Sequence, residues 1–158
     1  MNRGDKPLGR TAAPARRKVT RTATSQPRTV RKPPKDTGPD AKTRALVLAR
    51  DGYSCVCCGR SIIGQVYSLQ HRKRRSQGGT NCPTNLLTVL GDGTRGCHAR
   101  IDSRIDPHDE ARGYTVRSHQ NPAAVSVMIF SESGSGCTKW LTPDGLYSDT
   151  PPEGAEAA

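Results

Sequence analysis

Apolar residues fall into short, separated groups along this 158-residue chain, and each group carries the period of one kind of element. Over Ala41–Arg50, Ala45, Leu46, Leu48 and Ala49 give a helix its apolar side; Asp40 stands at the N-cap and Gly52 ends the helix. Residues 66–71 alternate instead, with Tyr67, Leu69 and His71 on one face and Val66, Ser68 and Gln70 on the other. That period predicts a strand ending at His71. Residues 72–84, with Gly78, Gly79, Asn81 and Pro83, read as a loop, and Leu86–Leu90 as a second strand antiparallel to the first. Residues 91–96 turn, and residues 97–103 begin another helix.

Further on, residues 107–112 predict a short helix closed by Gly113, and residues 114–117 and 125–130 predict strands. Thr142, Pro143, Asp144 and Gly145 place Pro and Gly where a tight turn favours them, between two short apolar pairs. The chain thus divides into a unit over residues 41–106, a small β extension over 107–149 and a frayed tail over 150–158. The class is α+β.

Composition adds a basic arm and a small core. Residues 1–40 hold eleven Lys or Arg, three acidic residues and six prolines, which accounts for eight of the eleven net positive charges. Such a segment cannot offset its ordering entropy and is expected to be disordered, either as an electrostatic arm on a DNA backbone or as a solvated tail. With 32% hydrophobic and 4% aromatic residues the core needs a staple, and six cysteines offer disulfides or a metal. No apolar run approaches a membrane span and none follows the basic N-terminus, so no membrane association or signal peptide is expected. In the reducing cytoplasm this implies, clustered Cys and His bind metal more often than they pair. A net charge of +11 favours a polyanion, nucleic acid first.

The chemistry concentrates between residues 55 and 98. Cys55 and Cys58 have the spacing of a zinc knuckle, which turns Cys57 away. His71 opens the run Arg72, Lys73, Arg74, Arg75; Asn85 precedes the second strand; Cys97 and His98 open the second helix.

His71, Asn85 and His98, with Cys55-x-x-Cys58-Gly59 upstream, resemble the signature of the HNH endonucleases. The likeness is closest to the small HNH proteins of actinobacterial phages and runs from about Asp51 to Tyr147, through GCHARIDS, GYTVRS and WLTPDGLY. It implies a ββα-metal (His-Me finger) core with a Cys zinc knuckle, and a metal-dependent hydrolase of DNA phosphodiester bonds. In that role His71 activates water, Asn85 fixes the geometry of the base, and His98 holds a catalytic Mg²⁺ or Mn²⁺. Gln70 stands where many members carry an acidic or imidazole ligand to the same ion.

For a structural Zn²⁺ the likeness supplies Cys55, Cys58 and Cys97 but puts Leu90 where relatives carry a further cysteine, leaving Cys82 as a candidate fourth ligand. Arg72, Lys73, Arg74 and Arg75 are expected along the DNA backbone, contacting phosphates. The scarcity of aromatics points to duplex or branched DNA as substrate. The likeness further implies DNA packaging with a phage terminase subunit in the host cytoplasm. The alternative is a noncatalytic, zinc-stabilised DNA-binding accessory protein with a decayed HNH core.

Overall fold

The computed structural model describes residues 38–154, so the arm expected over residues 1–40 lies outside it except for its last three positions, as do residues 155–158 of the tail. The elements in chain order are α1 (Ala41–Arg50), β1 (Tyr67–His71), β2 (Leu86–Leu90), α2 (Gly96–Ser103), β3 (Val127–Phe130), β4 (Gly136–Leu141) and β5 (Tyr147–Ser148). β1 and β2 form a two-stranded antiparallel sheet, and β3, β4 and β5 a second, three-stranded one. The class is α+β.

Asp40 caps α1 by accepting from the Thr43 amide at 2.7 Å. The inward face of this helix agrees with the predicted one at Leu46 and Leu48, which are half-buried and buried, but adds Val47, fully buried, and leaves Ala45 and Ala49 exposed. The reason is Arg50, whose side chain is completely covered. Its guanidinium meets Asp51 at 2.7 Å and donates to the carbonyls of Pro83 at 2.8 Å and Leu86 at 2.7 Å. The helix therefore turns Thr43, Leu46, Val47 and Arg50 inward at i, i+3, i+4, i+7 spacing, with Leu48 packed into the core beside them. Asp51 also accepts from the Thr88 amide at 2.8 Å and the Tyr147 hydroxyl at 2.6 Å, tying α1 to β2 and β5.

β2 is buried at all five positions, Thr88 included, as in a strand covered on both faces. α2 packs across both strands of the hairpin. Leu87, Val89 and Ile101 meet Val127 and Leu141 in one apolar cluster, so the β3–β5 sheet shares the core of the hairpin. The turn at residues 142–145 closes with the Gly145 amide on the Thr142 carbonyl at 3.1 Å.

Between α2 and β3 the expected elements do not form. Residues 107–113 are turns: Asp106 accepts from the His108 amide at 2.9 Å, and a local side-chain bond of this kind competes with helix. Residues 114–117 are not a strand. Tyr114 and Val116 are buried, but this segment is held to the hairpin by a single bond from the Val116 amide to the Arg72 carbonyl at 2.9 Å. Among the described residues no helix is long and apolar enough to cross a membrane.

Candidate active site and thiol centre

The hairpin register sets the first site. His71 faces Leu86 across the ladder, so Asn85, one residue before β2, meets the chain as it leaves β1. The Arg72 amide donates to the Asn85 carbonyl at 2.9 Å. The buried Asn85 side chain accepts from the Lys73 amide at 2.7 Å and donates to the carbonyls of Lys73 at 3.0 Å and Thr80 at 2.9 Å, clamping both ends of the intervening loop. Gly79 is needed inside this clamp, because a Cβ there would lie 1.8 Å from the Lys73 carbonyl oxygen. Asn85 thus positions the backbone after His71. The bond to the imidazole comes from Asn81, whose Oδ1 lies 2.8 Å from His71 Nε2.

Arg75 Nε meets the same ring nitrogen at 3.5 Å, so both side-chain contacts of the imidazole are made at Nε2. Half-burial pushes the His71 pKa below its ordinary value; the Asn81 bond opposes that shift and the charge of Arg75 adds to it. The imidazole is therefore neutral at pH 7, the state a base needs.

His98 sits in the first turn of α2, and its Nδ1 is buried with no hydrogen-bond partner. His71 and His98 line one cleft of about 260 Å³ together with Gln70, Arg74, Arg75, Ser76 and Asp102. Gln70 is buried and donates from Nε2 to the His71 carbonyl at 3.1 Å, a bond that does not use its oxygen. Arg74 reaches across to α2, meeting the Asp102 carbonyl at 2.5 Å and its carboxylate at 3.5 Å. Nothing in the sequence pattern singled out Asn81 or Asp102; both join the site through the loop's fold and the helix's one-turn spacing from His98.

The basic run divides. Arg74 and Arg75 line the cleft, but Arg72 does not face solvent: it is 1% exposed and cannot contact DNA as the sequence led us to expect. Its guanidinium donates to the carbonyls of Gly113 (2.6 Å), Thr84 (3.2 Å), Pro122 (2.9 Å), Val125 (2.7 Å) and Ser126 (3.0 Å). Burial, with the charge of Arg50, lowers its pKa to about 9, so it remains a cation at pH 7. Lys73 is likewise turned to the 113–126 segment, donating to the Gln120 carbonyl at 3.3 Å. The Arg72 head thus gathers carbonyls from Thr84 and from the 113–126 segment on either side of residues 114–117.

At the other end of the hairpin, Cys55, Cys58 and Cys97 bring their sulfurs within 4.8 Å of one another. Among the described residues they are the one group of His, Cys, Asp or Glu that could hold a metal ion. The turn that presents Cys55 and Cys58 closes with the Gly59 amide on the Cys55 carbonyl at 2.7 Å. Gly59 has φ +72°, and a Cβ there would lie 2.0 Å from the Ser131 carbonyl carbon, so only glycine fits. The Leu90 amide donates to Cys55 Sγ at 3.3 Å, and Cys58 raises the pKa of Arg60.

Cys57 is outside this group of three sulfurs, as the Cys-x-x-Cys spacing predicts, while the expectation for Cys82 is corrected. Hydrogen bonds from Cys57 and Cys97 hold Cys55 far below the ordinary thiol range, and Cys55 in turn pushes both of them up. Cys82 is not in the cluster. It is exposed and begins the 3-10 turn Pro83–Asn85, beyond the Leu86 end of β2, so the length of that strand, roughly 13 Å, separates it from the thiols.

A second cleft, of about 320 Å³, is lined by Asp106, Asp109, Glu110 and Arg117 among others. Its carboxylates are already paired, Asp106 with Arg100 and Arg112, Asp109 with Arg100, and Glu110 with Arg117. Comparison of the chain with family models, with curated proteins and with solved structures finds no match.

Proposed function

We propose that this protein is a metal-dependent HNH endonuclease acting on DNA, with β1, β2 and α2 as a ββα-metal core. The supporting observation is the shared cleft: a neutral imidazole with one nitrogen tied down, a second histidine whose buried Nδ1 lacks a partner, and two arginines. His71 Nδ1 takes the proton of the attacking water. Asn81 and Arg75 hold the ring through Nε2, and Asn85 holds the backbone behind it. Arg74 and Arg75 attract and seat the phosphates flanking the scissile bond.

The unpartnered Nδ1 of His98 fits a metal ligand, with the free oxygen of Gln70 as a candidate second donor. A Mg²⁺ or Mn²⁺ bound there would polarise the phosphate and stabilise the leaving oxygen. Two protein donors make a weak site, completed by phosphate and water oxygens. The three-sulfur cluster fits a structural Zn²⁺, which would staple a core too small to stand alone. The resemblance to phage HNH proteins extends the proposal to DNA packaging beside a terminase subunit in the host cytoplasm.

One observation favours the noncatalytic alternative: the one carboxylate lining the cleft, Asp102, is held by Arg74. Incubating supercoiled plasmid with the wild type, His71→Ala and His98→Ala, in Mg²⁺, Mn²⁺ or chelator, decides between the two. Nicking that requires metal and both histidines is expected; gel shifts without cleavage under every metal condition would establish the binding module instead.

A further inference from the structure

The cleft of about 320 Å³ beside Asp106 and Asp109 shares its walls with the cleft of His71 and His98. On one side Ser76 lines the histidine cleft and its neighbour Gln77 the other; on the opposite side Asp102 lines the first and Arg104, just past the end of α2, the second. The two hollows adjoin along both walls. We propose that they form one groove, in which the outer part seats the DNA backbone beyond the cleaved bond and Arg104 and His119 bind its phosphate. This rests on the endonuclease reading and assigns positioning residues outside its catalytic set.

Three observations carry it. Arg104 and His119 both line the outer hollow, both are exposed, and neither side chain has a hydrogen bond or ion pair among the described residues. The carboxylates around them are all engaged, Asp106 by Arg100 and Arg112, Asp109 by Arg100 and Glu110 by Arg117. An entering anion therefore meets offset acids and one uncommitted guanidinium. Second, Arg104 ends α2 in the left-handed region, at φ +53°; with Tyr53 it is the only non-glycine residue there among the described residues. Glycine would end the helix with less strain, so what arginine adds is its cation on the groove wall. Third, the spacing suits a nucleic acid strand. Arg104 lies six positions after His98, about 9 Å along the helix axis, and a DNA strand rises about 3.4 Å per nucleotide. Arg104 thus meets a phosphate about two to three nucleotides from the one at His98.

The test uses the full-length chain, a fluorescein-labelled duplex DNA for affinity in Ca²⁺, and supercoiled plasmid for nicking in Mg²⁺ or Mn²⁺. Arg104→Ala is expected to lower the slope of log affinity against log salt by about 0.9, the value of one phosphate contact, and to raise KM for the plasmid with kcat unchanged. Arg104→Lys should restore both, since it keeps the charge. Arg104→Gly separates binding from folding: relieved of the strained φ, it should keep or raise the thermal midpoint while losing the same slope as alanine. His119→Ala should weaken binding by about fivefold, the worth of one hydrogen bond. Arg95→Ala, at the other end of α2, should match the wild type. Wild-type slope and KM in both Arg104→Ala and Arg104→Gly overturn the outer seat while leaving the endonuclease in place. A slope lowered equally by Arg95→Ala makes the effect one of net charge and overturns it too. A wild type that neither binds nor nicks DNA overturns the endonuclease reading itself, and the groove with it.

Discussion

Where Tyr67 faces Leu90, the hairpin ends among clustered thiols behind a buried turn; where His71 faces Leu86, it ends in an open cleft whose imidazole is held by one side-chain amide. Both ends are served by the same two strands and the same helix. The thiol end spends its hydrogen bonds and sulfurs on closing itself. At the histidine end the scaffold is satisfied, with all three Asn85 bonds going to backbone, while His98 Nδ1 is left without a partner. Thr88 Oγ1, Asp109 Oδ2 and the Tyr114 hydroxyl are also buried without a partner, but His98 is the one of these four residues that lines the His71 cleft.

The contrast can be broken most severely at His71. His71→Ala should lower the plasmid-nicking rate by about a hundredfold to ten-thousandfold, the range for a lost general base, with the circular dichroism spectrum unchanged. Equal rates would remove the distinction between the two ends. Next comes Arg72, which belongs to the frame although it sits beside the base. Arg72→Met should destabilise the protein by on the order of 3–5 kcal/mol in chemical denaturation, as loss of a buried charged partner does, because five carbonyls lose their donor. Arg75→Ala should move the same midpoint by less than about 0.5 kcal/mol and instead weaken DNA binding and flatten its salt dependence.

Asn85→Ala should be milder than the Arg72 change, about 1–3 kcal/mol for buried groups left unpaired, and should speed amide exchange at Lys73 through loss of its 2.7 Å acceptor. The smallest effect is a displacement along the pH axis. The base works when neutral and burial lowers its pKa, so the rate should rise with pH through a point below the ordinary 6.5. Arg75 lowers this pKa and the Asn81 bond raises it. Arg75→Ala should therefore move the rising limb to higher pH, and Asn81→Ala to lower pH.

Period and punctuation in the sequence carry the frame well. The cap at Asp40, both strands of the hairpin, the helix after Gly96 and the turn at residues 142–145 all follow from local pattern. What local pattern misses is set by long side chains that bond at a distance. Arg50 draws its own side of α1 inward, and Arg72 gathers five carbonyls across up to 54 positions of chain. In a list of basic residues Arg72 cannot be told from Arg75; only the carbonyls of a later segment separate them. Asn81 fell inside a loop whose course depends on Asn85, so its partnership with His71 had no signal of its own.

Cys97 and His98 are consecutive residues in one turn of α2, the first among the sulfurs and the second lining the cleft. Whatever disturbs the sulfurs therefore acts on the imidazole beside them through a single peptide unit. An oxidant or a strong chelator should silence cleavage without entering the cleft, and added magnesium would not restore it. The enzyme proposed here would in that way be sensitive to the redox state of its surroundings, although none of the sulfurs takes part in hydrolysis.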